Sequence, residues 1–185
     1  DVADADLPRP AIRPYPIQYV GSFTLSDWTE VEIRPVRPED EPLMSDFITS
    51  LSPDNLYLRY FHAVSVSSLT SHEQISRVSF VDYNREMSLV ATQADPKTGK
   101  PRIIATGQLT KLHGSNDAEF AIQVRDQYQG PGLGTELLTR LLAIARDEGI
   151  TRVVAEIMPE NTGMRRGCGK QGLCVGCLPA SHNLP

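Results

Sequence analysis

The sequence predicts an α/β domain organised around a strand–helix–strand unit, and three observations carry that reading. From Ala118 to Arg125, apolar Phe120, Ile122 and Val124 alternate with Glu119, Ala121, Gln123 and Arg125, the period of a strand with one apolar face. Next, Leu133, Leu137, Leu138, Leu141, Ile144 and Ala145 recur at helical spacing in one stripe, which Gly149 ends as a C′ residue does. Val153–Ile157 is then a nearly continuous apolar run, as a strand buried on both faces requires. Strand, crossover helix and second strand make a right-handed β-α-β unit.

The other elements follow in chain order. Seven of the 14 prolines fall within the first 42 residues, and Pro8, Pro10, Pro14 and Pro16 bar a helix from residues 1–20. Residues 1–30 therefore read as a leader or linker, and folding is expected to start near Val31, with the strand Glu32–Val36. Pro38 and the acidic Glu39, Asp40 and Glu41 suit a helix start, and Leu43, Phe47, Ile48 and Leu51 share its apolar face. Ser52-Pro53-Asp54-Asn55 opens a second helix through Tyr60, and Ser68–Phe80 reads as a third. Met87–Thr92 and Ile103–Leu109 are strands around the turn Asp95–Lys100. The domain is assigned to residues 31–173, and 174–185 form a tail without strand alternation.

Bulk properties narrow the function. At 185 residues the chain holds one domain with a substantial core plus an appendage. A net charge of −5, with no Lys/Arg run longer than two, argues against nucleic acid as partner. No signal peptide or membrane-length apolar run is present, so no membrane partner is expected. Cys168, Cys174 and Cys177 all lie near the C-terminus and leave the core without cysteine, which points to a reducing, cytoplasmic setting. With His182 they have the donor types of a zinc site, but no matching framework surrounds them, and no metal is expected.

The chemistry concentrates between strand and helix. Gly130, Gly132 and Gly134 stand at the helix entrance, where unpaired N–H groups and the positive end of the dipole attract a phosphate. Glycines there let the backbone approach the anion. The dinucleotide fingerprint G-x-G-x-x-G fails on spacing, and the Walker P-loop fails because no Gly-Lys-Ser/Thr follows. Gln129-x-x-Gly132-x-Gly134 instead resembles the Gln/Arg-x-x-Gly-x-Gly/Ala motif of the GNAT N-acetyltransferase superfamily, in an ordered context of Glu-bearing strand, helix, buried strand and Asn161.

That resemblance covers residues 31–173 and implies the GNAT fold, a mixed, mostly antiparallel sheet flanked by helices, with acetyl-CoA as acyl donor. It implies that Gln129, Gly130, Gly132, Leu133, Gly134 and Thr135 bind pyrophosphate and that Ile122 and Val124 contact the pantetheine and acetyl carbonyl from a splayed strand. Asn161 and Met164 match the family's Asn-x-x-Met, which implies a pantetheine contact for Asn161; a helix N-cap is its structural alternative. Pro131 departs from the pattern, because it lacks an N–H and supplies no cation. Gly167 departs too, standing where the family has a core leucine.

Within the superfamily, the Ala-Glu-Phe-Ala at 118–121 and Leu56-Tyr-Leu-Arg-Tyr-Phe61 resemble bacterial protein lysine acetyltransferases fused to an NDP-forming acyl-CoA synthetase-like region. Arg9–Pro16 resembles the closing segment of that region. The resemblance implies a protein substrate with a reactive lysine, acyl-CoA synthetases being examples, and an attached synthetase-like domain. A lysine amine is almost wholly protonated at neutral pH, so a base must take its proton, and Glu119 is the candidate. Asp126 is either an aid to the proton path or a turn former. A small amine or a protein N-terminus as acceptor, and a non-catalytic acyl-CoA sensor, stay open as alternatives.

GNAT domains normally add about two further strands, which the tail does not show. A naturally short chain, an end from a shifted reading frame, and a sheet completed by a dimer partner all remain open.

Overall fold

Six strands form one sheet in the order in which they occur in the chain. The structure is a computed structural model that describes residues 13–174. The strands are β1 (Gly21–Thr24), β2 (Glu30–Pro35), β3 (Glu86–Ala94), β4 (Pro101–Lys111), β5 (Asp117–Val124) and β6 (Arg152–Val154). Neighbours pair antiparallel except β5 and β6, which run parallel and are joined by helix α5 (Leu133–Asp147). This is the mixed, mostly antiparallel GNAT architecture that the glycine motif implied.

The central strands are covered on both faces. On one side α5 presses the predicted stripe of Leu133, Leu137, Leu138, Leu141, Ile144 and Ala145 onto Leu89, Ala91, Ile104 and Phe120. On the other lie α1 (Glu41–Thr49), α2 (Pro53–Tyr60), α3 (Val66–Leu69) and α4 (His72–Ser79). They bury Met44, Phe47, Ile48, Leu51, Leu56 and Ile75 against Val36, Val90 and Ile103. The C-terminus of α5 is a Schellman motif: Gly149, at φ +66, donates to Arg146 O and Ile150 donates to Ala145 O. Helix α6 (Thr162–Lys170) closes the described chain against α5.

Three expectations shift. The sheet begins ahead of Val31, because Gly21–Thr24 pairs with Ile33–Glu30 and Leu25 is buried. Proline density hid this hairpin; behind it the Tyr15 hydroxyl donates to Pro35 O and Arg13 pairs with Glu148 at 2.5 Å. The single helix expected over Ser68–Phe80 is two, with the chain breaking at Thr70 and Ser71. Finally, Val153–Ile157 is not a strand buried on both faces. Strand β6 spans only Arg152–Val154 and is half-buried, because among the described residues it ends the sheet and pairs with β5 alone.

Half of the synthetase-like match at Arg9–Pro16, and all of Cys177 and His182, fall outside the described residues.

Candidate active site

The β5–β6 pairing stops early, and a cleft opens where it stops. Asp117, Ala118 and Glu119 pair with Arg152, Val153 and Val154, after which β5 runs on to Val124 along β4 only. Between the diverging segments lies a cavity of about 720 Å³. Its walls are the β5 segment Glu119–Val124, the glycine turn with the start of α5, the segment Ala155–Ile157 with α6, and part of α2. Both Ile122 and Val124 line it, on the edge of β5 that β6 has left.

The turn before α5 has the backbone that its glycines permit. Gly130 stands at φ +105 and Gly132, the α5 N-cap, at φ +98, values that side chains resist. No side chain caps this helix, and Glu136 N–H to Gly132 O, at 3.0 Å, is the first bond of its ladder. The N–H groups of Leu133, Gly134 and Thr135 therefore lack intrahelical acceptors. Gln129, Gly130, Gly132, Gly134 and Thr135 line the cavity. Leu133 does not: its side chain is 1 % exposed and belongs to the core under α5, so only its backbone faces the entrance. The Gln129 side-chain amide donates to Val124 O at 3.2 Å and so fastens the turn to β5.

Glu119 occupies the last paired position of β5, opposite Thr110 of β4. It is exposed, lines the cavity, and has no hydrogen-bond or ion-pair partner among the described residues. In the same row, half-buried Glu86 faces Thr110 from β3. Burial pushes its carboxyl up, against the opposing pull of Arg77 and Arg59.

Asn161 lines the opposite wall and caps α6, its Oδ1 accepting Met164 N–H at 3.1 Å. Capping engages the oxygen and leaves the amide N–H2 to the cavity, so the two predicted roles are compatible.

Asp126 is drawn away from the proton path and into a tether. Its carboxylate accepts from Ser52 Oγ at 2.6 Å and Ser52 N–H at 3.1 Å, at the N-cap of α2. Burial raises this carboxyl, but hydrogen bonds from Ser52, from its own backbone and from Asn55 together outweigh that and leave it below its ordinary value. Beside it, Asn55 Nδ2 donates to Val124 O at 2.8 Å and Arg125 pairs with Asp46 at 2.6 Å.

Several lining residues had no place in the sequence reading of the site: Asn55, Gln123, Glu156 and Arg166. Nothing local marks Asn55 or Glu156, whereas Arg166 and Lys170 share an i,i+4 spacing that is legible once α6 is drawn. From the Leu56–Phe61 segment, Leu58, Arg59 and Phe61 reach the cavity, while Leu56 is buried in the core. Among the described residues no three His, Cys, Asp or Glu side chains gather as a metal site, and Cys168 is a buried thiol whose pKa burial raises.

Known proteins share this arrangement. The family described as acetyltransferase (GNAT) domain matches residues 30–173. The chain belongs to the GNAT acetyltransferase family. The acetyltransferase PA5475 of Pseudomonas aeruginosa is 28% identical over 145 residues, 78% of this GNAT chain and 75% of that protein. The acetyltransferase Pat of Mycolicibacterium smegmatis is 28% identical over 157 residues, 84% of this chain but only 43% of Pat, so the GNAT chain spans under half of that relative. Among solved structures, the GNAT domain of S. lividans PAT superposes with a TM-score of 0.75 at 26% identity, covering 85% of this chain and 89% of that one. RimJ of Mycobacterium smegmatis in complex with CoA-disulfide shares the GNAT fold, with a TM-score of 0.62 at 18% identity over 83% of this chain and 74% of RimJ. No described helix of this GNAT chain is long and apolar enough to cross a membrane.

Proposed function

We propose that this chain transfers an acetyl group from acetyl-CoA to the side-chain amine of a lysine in a protein substrate, with Glu119 as general base. The observation that carries the reading is the end of the β5–β6 pairing at Glu119, which sets a free carboxylate at the head of a cleft whose far end is the glycine entrance of α5. A donor lying along the cleft has its phosphates at the N–H groups of Gly132, Leu133, Gly134 and Thr135 and its acyl end toward β5 and Glu119. The unpaired edge of β5 at Ile122 and Val124 supplies backbone N–H groups for the thioester carbonyl, where negative charge builds as the amine attacks. Glu119 takes the proton of the incoming ammonium directly or through one water. Asn161 holds the pantetheine arm from the α6 side.

A protein lysine is favoured over a small amine by the resemblance of residues 118–121 and 56–61 to bacterial protein lysine acetyltransferases, with which the likeness to Pat and to the S. lividans PAT domain agrees. A synthetase-like partner domain is part of the same reading.

The test is Glu119→Gln in the intact chain, with acetyl-CoA titrated calorimetrically and acetylation of lysine-bearing proteins followed in parallel. The reading expects saturable binding in both proteins and turnover only in the wild type. Wild-type turnover of a small amine faster than of any protein would refute the lysine assignment, and binding without any turnover would favour a sensor.

A further inference from the structure

Helix α6 carries two cations that no other described residue engages. Arg166 and Lys170 are exposed, line the cavity, and have no ion-pair or hydrogen-bond partner among the described residues. At i,i+4 they stand one turn apart on one helix face, a like-charge arrangement that disfavours the isolated helix. Their neighbour Arg165 differs, because its guanidinium donates to Pro159 O at 3.2 Å. The carboxylates on the cavity wall, Glu119 and Glu156, come from β5 and from the segment after β6, and neither is ion-paired to the two cations.

The position of α6 gives the pair a purpose. Gly167, between them in sequence, is buried, and a Cβ there would lie 3.7 Å from Thr135 Oγ1. The α6 backbone thus rests directly on the first turn of α5. Next to it is the turn that lacks charge of its own: Gln129 is neutral and bound to Val124 O, and Pro131 offers neither cation nor N–H. One wall presents backbone dipoles, and the adjoining wall presents two whole positive charges.

Resting on the donor reading above, we propose that Arg166 and Lys170 are the cationic part of the donor site and bind phosphate groups of the CoA-type donor. Guanidinium and ammonium differ in how they would engage: arginine takes two phosphate oxygens at once, whereas lysine acts as a point charge. The phosphates of such a donor are of two kinds, the pyrophosphate bridge and the 3′-phosphate of the ribose, and the pair serves whichever lies beside α6.

The experiment is calorimetric titration of the full chain and of the double variant R166Q/K170Q with acetyl-CoA, acetyl-dephospho-CoA and acetyl-pantetheine. The two side chains make no hydrogen bond or ion pair among the described residues, and relief of their mutual repulsion offsets the loss of Lys170 from the last turn of α6, so the variant is expected to fold and to melt close to the wild type. The proposal expects acetyl-CoA affinity to fall by about 100-fold, about tenfold per charge-assisted contact, and the gap to narrow at high salt. Acetyl-pantetheine, which has no phosphate, should bind both proteins equally. A loss that vanishes with acetyl-dephospho-CoA assigns the pair to the 3′-phosphate, and a loss that persists assigns it to the pyrophosphate. Equal acetyl-CoA binding by variant and wild type, or an equal loss for acetyl-pantetheine, would overturn the proposal while leaving the donor reading intact. Failure of the folded wild type to bind acetyl-CoA would overturn both.

Discussion

Replacing Gly134 and Gly132 by alanine, one at a time, separates what the glycine turn does for the fold from what it does for a ligand. Gly134 is the second residue of α5, in ordinary helical conformation, and a Cβ built on it meets Val124 Cγ2 at 3.7 Å, a normal contact. The fold therefore has room for the methyl group, and alanine gains up to about 1 kcal/mol of helix propensity over glycine. In a chain of this size that raises Tm by up to roughly 2–4 °C. The methyl projects toward Val124, and the glycine motif itself accepts alanine at this position, so acetyl-CoA binding is expected to be retained. Gly132→Ala is the contrasting change, because no atom lies within 4 Å of its Cβ but φ is +98. It should cost about 1–2 kcal/mol in stability through backbone strain. Relief of that strain turns the first N–H groups of α5 from the ligand, so acetyl-CoA affinity is expected to fall at least about tenfold, which is about 1.4 kcal/mol. Thermal melts with calorimetric titration thus separate the two variants. A folded Gly132→Ala protein that binds acetyl-CoA as tightly as the wild type would refute a pyrophosphate held at these amides.

Three further outcomes are expected. Glu119→Gln should slow lysine acetylation by about 10²–10⁴-fold with acetyl-CoA affinity preserved, as read by single-turnover kinetics; an unchanged rate excludes Glu119 as base. Asp40→Ala should cost about 3 kcal/mol in chemical denaturation, because Asp40 holds buried Arg34 by two bonds of 2.7 Å and its removal leaves that charge only the exposed Glu32 carboxylate at 3.3 Å. The Glu148 carboxyl is held below its ordinary value chiefly by the Arg13 hydrogen bond, with Lys111 adding to it. A depressed carboxylate contributes stability above its unfolded pKa and loses it as pH falls through the lower folded value. The melting curves of wild type and Glu148→Gln should thus differ near neutral pH and converge below about pH 4, and parallel curves would remove Glu148 from the acid response.

The parts legible in the sequence are those that local chemistry determines. Period and composition placed β5, α5 and the Gly149 stop, and the glycines at 130 and 132 announced positive φ. The misses are non-local. A hairpin at Gly21–Glu30 hides behind prolines because its reason to form is Leu25 and Val31 entering a core built from later residues. The apolar run at Val153 gives no sign that it ends a sheet, since the number of strands beside it is a property of the whole fold. Asp126 reads locally as a turn former or a proton carrier, and only its distant partner Ser52 decides its place. Of the residues that line the cleft, Glu119, Ile122, Val124, Gln129, Gly130, Gly132, Gly134, Thr135 and Asn161 could be named in advance, but Leu133 points its side chain into the core. The α2 residues that share the cleft come from a part of the chain with no periodic link to it.

The tether at Asp126 has a mechanical consequence. Ser52–Asp126, Asn55–Val124 and Arg125–Asp46 stitch the α1–α2 junction to the end of β5 at three points. That side of the cleft behaves as one unit, since parting α1 and α2 from β5 breaks all three bonds together. On the other side α6 is anchored on α5, while β6 is joined to β5 through three residue pairs only. Strand β6 is therefore the weak seam of the cleft, and amide exchange should be faster in Arg152–Val154 than in the β5 segment it adjoins.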